Sequence, residues 1–165
     1  MEIIPLLLKE LDQEAEITRK FLKIVPMDKL DWRPHPKSMT IKRLAVHIAE
    51  LPSWIDMSLN TDGVDFAKGD YKPGQVSNSK ELSDLFEKAY AKGKAALINA
   101  KEKNLTEKWT IRNGEQILNT MTKYEAVRHA FSQTIHHRAQ LGVFLRLLDI
   151  PIPGSYGPSA DEMSF

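Results

Sequence analysis

Two adjacent histidines, His136 and His137, lie in the run TIHHRAQL from Thr134 to Leu141, inside a long apolar stretch where helical packing alone would not call for them. At about 100° per residue, helical spacing stacks His129, Gln133 and His137 one turn apart. Gln140 and Phe144 continue the ridge, and His136 falls to one side of it. One face therefore carries several nitrogen and oxygen donors. A neutral imidazole is the commonest protein ligand for zinc and related ions, and donors at i and i+4 on a rigid helix meet one ion with little ordering cost. A third ligand must come from another element. The competing reading makes these histidines polar edge residues of a packed helix.

The chain has 165 residues and 42% hydrophobic content, enough for a proper core in one domain spanning 1–165. Lys plus Arg number 23 against 22 Asp plus Glu, and no segment collects the basic residues, so no nucleic-acid groove is signalled. The opening MEIIPLLLKELDQE is too short and too acidic for a signal peptide, and no later run reaches membrane-spanning length; a cytoplasmic protein is expected. Zero cysteines exclude disulfides, a cysteine nucleophile and thiolate zinc ligands, so a metal here must use histidine, carboxylate, amide and water.

The elements that must position the histidines read as helices. Ile4, Leu7, Leu8, Leu11, Ala15, Thr18, Leu22 and Val25 keep the 3/4 spacing of an amphipathic helix over about 3–25, with Pro26 closing it. The prolines of MDKLDWRPHPKSMT forbid helix there, Trp32 pins the connection, and His35 reads as an exposed loop residue. Thr40 caps a second helix, 40–59, whose stripe is Ile41, Leu44, Ala45, Ile48, Leu51 and Ile55, with His47 beside it and Pro52 expected to kink it. Residues 60–79 form a long polar loop around Phe66 and Tyr71, read as a lid. Asn78 and Glu81 start a third helix, 79–103, with small residues for close approach. The segment KWTIRNGEQIL alternates and turns at Asn113-Gly114, a small hairpin. Thr122 and Glu125 make a capping box for the last helix, 122–148, and the proline-rich end packs or wraps. The expected fold is all-α, a four-helix bundle with a long loop between helices two and three and a small extended hairpin before helix four. The Leu and Phe surplus from Leu141 to Leu148 predicts a homodimer.

The runs WRPHPKSMTIKRLAVHIAELPSW and HHRAQLGVFLRLLDIPIPGSYGPSADE resemble, in order and spacing, the DinB-like proteins, and the likeness covers nearly the whole chain. That resemblance implies a bacterial four-helix bundle, often dimeric, in which a divalent ion, nickel or zinc, sits between one histidine of helix two and two of the last helix. Some relatives are thiol-dependent S-transferases or isomerases. The helix-two histidine corresponds to His47. The family's final pattern, H-x-x-x-H-R-G-Q, places its second histidine at His137, its arginine at Arg138 and its glutamine at Gln140, but its first histidine falls on Gln133 and its glycine on Ala139.

An amide oxygen binds zinc or nickel far more weakly than imidazole does. Three arrangements stay open: a weakened site of His47, Gln133 and His137, which is preferred; a shifted site recruiting His136 or His129; or a pocket without metal. His129 lies two turns from His137, roughly 12 Å along the axis, too far to share an ion directly, and His136 points about 100° away from His137. Two imidazoles and an amide leave an open position, where an ion would activate water or a low-molecular-weight thiol cosubstrate for transfer to a small electrophile or for hydrolysis of a small substrate. Arg138 either draws the cosubstrate's carboxylate or pairs with an acid such as Glu50; Glu50 itself either orients an imidazole or faces solvent. The rival class is a non-catalytic, stress-associated helical dimer that binds a small ligand or a protein partner. No Ser-His-Asp, P-loop or dinucleotide fingerprint is present.

Overall fold

The computed structural model describes residues 2–163. Helix α1 runs Ile4–Lys23, α2 Ile41–Asn60, α3 Ser79–Asn99 and α4 Lys123–Leu147. The caps follow the local chemistry. Thr40 accepts from the Arg43 N–H at the start of α2, and Thr122 with Glu125 forms a full capping box at α4. At α3 only half of that device is present: Asn78 accepts from Glu81 N–H, while the Glu81 carboxylate turns back to Ser77. Helix α3 stops at Asn99, short of the expected 103, because residues Glu102–Thr106 tighten into a 3-10 turn that buries Leu105.

The helices are arranged as a ring in the order α1, α3, α2, α4, so that α1 and α2 face each other across the diagonal, as do α3 and α4. Helix α2 is the most enclosed element. Ile41, Leu44, Ala45, Ile48, Ala49 and Ile55 are 0–1% exposed, packed against Phe86 and Leu97 of α3 and against Leu141, Val127 and Phe131 of α4. This burial on several faces fixes the rotation of α2 and hence the direction of His47. The helix passes through Pro52 without a break.

The α2 to α3 contact is close at this proline. A Cβ added at Gly93 would stand 2.3 Å from the Pro52 carbonyl oxygen, backbone that cannot swing aside. Gly93→Ala is therefore expected to destabilise the bundle by about 1–2 kcal/mol despite alanine's better helix propensity, because overpacking of up to about 3 kcal/mol outweighs about 1 kcal/mol of propensity gain. Urea denaturation checks it; an unchanged midpoint would mean that the helices separate freely here.

The all-α expectation needs correction. The hairpin forms as read, β2 Lys108–Asn113 and β3 Gln116–Thr122 around Gly114 at φ 62°, but a third strand, β1 Gly63–Asp65, pairs parallel to β2 and makes a three-stranded sheet in the order β1-β2-β3. Beneath it Val64, Trp109 and Ala126 form a small core of their own, with Trp109 Nε1 donating to Thr61 Oγ1 at 3.1 Å. The 60–79 segment is consequently tied down, first as β1, then by Tyr71 and Gly74 on α2, and finally by buried Val76. It is an anchored wall. Among the described residues no helix is long and apolar enough to cross a membrane.

The C-terminal tail wraps as expected and closes over a buried ion pair. Arg138, 2% exposed, meets the Glu14 carboxylate at 2.7 Å, donates to Thr18 Oγ1 at 2.9 Å, and donates to the Tyr156 hydroxyl of the tail at 2.7 Å. Tyr156 in turn donates to Glu14 at 2.8 Å. Arg138 is thus turned toward α1 and the tail. The expected alternatives for it, a substrate carboxylate or Glu50, are both replaced by Glu14, an acid on the helix that flanks α4 on its other side.

Candidate functional site

Helices α2 and α4 bring His47 and His137 together, with ring centroids 4.7 Å apart and planes 77° to one another. Their approach follows from packing: Leu44, Ile48 and Leu51 lock α2, and Thr134, Leu141 and Leu145 lock α4, leaving the two imidazoles opposed. His137 is buried, at 8% exposure, while His47 and Gln133 are half-buried. Burial above all, then the neighbouring His137, with a smaller push from the Arg43 charge, takes His47 down to about 4, although the nearby Gln133 amide opposes the shift. Burial likewise lowers His137. Both rings are therefore neutral near pH 7 and keep a lone pair.

Gln133 Oε1 lies 2.8 Å from His137 Nε2, and Gln140 Oε1 lies 2.9 Å from His137 Nδ1. A neutral imidazole has one N–H, so only one of these amides can accept from it and the other must present its NH2 group. With Gln140 accepting from Nδ1–H, the lone pair sits on Nε2, the nitrogen beside the Gln133 amide. Carbonyl acceptance at the far nitrogen is the usual way a ligating histidine is fixed in one tautomer.

His136 is exposed and touches only the His137 ring within the cluster, at 4.8 Å, while His129 and His35 are exposed on the surface. None joins His47. Glu50 is buried, but its carboxylate is taken by the Tyr71 hydroxyl at 2.8 Å and the Gly74 N–H at 2.6 Å, so it anchors the wall and does not orient an imidazole. Desolvation and this carboxylate drive Tyr71 well above the ordinary phenol range. Among the described residues no three His, Cys, Asp or Glu side chains converge in a metal-binding group, so any ion would rest on two imidazoles and the Gln133 amide.

A pocket of about 370 Å³ opens at His47, bounded by Met39, Lys42 and Arg43 of the α2 end and by Tyr71, Gly74 and Gln75 of the wall. Sequence reading missed this lining. Arg43 stands one turn before His47, a spacing visible in the sequence, but the wall residues come from a segment without periodicity.

A model of the DinB family matches residues 2–164. The uncharacterized protein YrdA of Bacillus subtilis is 25% identical over 159 residues, 94% of this chain and 89% of that one. Among solved structures, YfiT of Bacillus subtilis, described as a probable metal-dependent hydrolase with an unusual four-helix bundle topology, aligns with TM-score 0.66 at 13% identity, covering 90% of this chain and 89% of that one. A mycothiol-dependent maleylpyruvate isomerase aligns with TM-score 0.60 at 15% identity, covering 84% of this chain and 60% of its own. At such identities these structures share the fold with this chain. With the family match running almost end to end, the chain belongs to the DinB family.

Proposed function

We propose that the protein is a metal-dependent enzyme acting on a small molecule, with His47, Gln133 and His137 holding zinc or nickel. The observation that carries this reading is the meeting of two neutral imidazoles from different helices, buried His137 and half-buried His47, the latter lining an open pocket. The donor set fits a borderline divalent ion, with two strong nitrogen donors and one weaker oxygen. When bound, such an ion supplies Lewis acidity and lowers the pKa of a water or an incoming thiol. The chain does the rest. Gln140 holds the His137 tautomer, the Glu50 anchor keeps Tyr71 and Gly74 standing as the outer wall, and the pocket admits a cosubstrate beside His47. With no cysteine in the chain, a thiol nucleophile has to arrive as a low-molecular-weight cosubstrate; otherwise the reaction is hydrolysis. The described relatives, one metal-dependent and one thiol-dependent, support both branches.

One observation favours the non-catalytic alternative. Gln133, His137 and Gln140 satisfy one another by hydrogen bonds, which a ligand-binding protein would retain without an ion. Elemental analysis of protein purified without a nickel column separates the two. The enzyme reading expects up to about one zinc or nickel per chain, lost in His47→Ala; the alternative expects none in either protein. On assembly, Val143 and Leu147, 59% and 58% exposed, are what remains of the α4 apolar surplus after Leu141 and Leu145 are buried. They support a homodimer, to be read by sedimentation.

A further inference from the structure

The pocket at His47 has a charge asymmetry that the metal reading does not use. Arg43 is exposed at its rim and Lys42 is half-buried beside it, and neither makes an ion pair among the described residues. The acids nearby are otherwise engaged. Glu50 is capped by Tyr71 and Gly74 behind the wall, and Glu81, which feels Lys42, is bonded to Ser77 outside the lining. Arg43 lines the same cavity as His47 and Tyr71. An unpaired guanidinium over a cavity is a bidentate anchor for a planar or tetrahedral oxyanion, and an ammonium beside it adds charge without geometric demand. Arg43 and His47 are one turn apart, about 6 Å along the helix, so an anion on the first leaves a few bonds of reach to the second.

We propose that this pocket takes a small molecule carrying a carboxylate or phosphate group, gripped by Arg43 and Lys42, with its remaining atoms directed toward His47. The volume of about 370 Å³ suits a metabolite-sized ligand. What happens at the far end rests on the metal-centre reading above; the anion grip does not. Arg43 thus takes the recruiting role that the sequence had offered to Arg138.

The test uses the full chain freed of metal by a chelator. Succinate and, separately, inorganic phosphate are titrated by calorimetry into wild type, Arg43→Gln, Arg43→Lys and Arg33→Gln, the last removing an exposed arginine elsewhere on the surface. The expected result is one-site binding of at least one probe, weakened tenfold or more in Arg43→Gln, less in Arg43→Lys, and unchanged in Arg33→Gln. The better probe identifies the group as carboxylate or phosphate. No saturable binding to wild type, or equal losses in Arg43→Gln and Arg33→Gln, overturns the proposal. Circular dichroism of each variant guards against misfolding, which the exposure of Arg43 makes unexpected. Zinc titration of the same preparations keeps the two readings apart. Zinc binding without anion binding overturns the pocket alone, and anion binding without zinc binding overturns the metal centre alone.

Discussion

Gln133→His raises the affinity for zinc or nickel by about 100-fold, because an imidazole nitrogen replaces an amide oxygen as third donor to a borderline ion. The position is already right for it. Residue 133 stands one turn before His137 on α4, its side chain reaches His137 Nε2 at 2.8 Å, and the His47 ring stands against His137. A histidine there completes three imidazoles from two rigid helices with little ordering cost. The fold should not change, since Gln133 is half-buried at the pocket and a bundle of this size does not depend on an ion for folding. His137→Ala has the opposite effect. Calorimetry on metal-free protein at neutral pH reads both; equal affinities in wild type and Gln133→His would remove residue 133 from the site.

Glu14→Ala destabilises the protein by about 3–5 kcal/mol, since it leaves the Arg138 guanidinium, 2% exposed, buried without its carboxylate. That corresponds to a fall of about 10 °C or more in Tm for a chain of this length. The double variant Glu14→Leu with Arg138→Met recovers most of it, because apolar side chains of similar volume carry no desolvation cost. Calorimetric melting of both decides, and a single variant as stable as wild type would show the pair to be hydrated. The tail adds a pH signature. Burial and the bond to Glu14 push Tyr156 up to about 12, so the folded state holds a proton that an unfolded phenol releases near pH 10. The contribution of this tail contact is then present below pH 10 and is lost as pH rises from 10 to 12, a loss that Tyr156→Phe abolishes.

The helices were legible because each carries an apolar stripe, and α2, α3 and α4 also begin at a capping residue, which α1 lacks. Thr40, Asn78 and Thr122 mark the N-termini observed, and Asn113-Gly114 marks the turn of the hairpin. Strand β1 was not legible. It is three residues long, too short to show alternation, and its pairing with β2 is parallel and remote in sequence. The partner of Arg138 was hidden for a related reason: periodicity gives the faces of helices but not the order of the ring, and only that order sets α1, with Glu14, beside α4. At the site, helical spacing grouped Gln133, His137 and Gln140, and the structure keeps them hydrogen-bonded together. His47 entered through the family resemblance, since nothing in one helix's spacing says which other helix it meets. The wall residues Tyr71 and Gly74 depend on an anchor to Glu50 that only the folded chain displays.

Whether His47 and His137 hold a single ion is read by X-ray absorption at the zinc edge of the zinc-loaded protein. Imidazole rings give a distinctive multiple-scattering pattern, and nitrogen or oxygen donors to zinc lie at about 2.0–2.2 Å. A single ion shared by the two histidines gives two imidazoles with light oxygen donors in wild type, one imidazole in His47→Ala, and three in Gln133→His. A wild-type spectrum whose imidazole count is unchanged by His47→Ala, or one with no imidazole scattering, would contradict it.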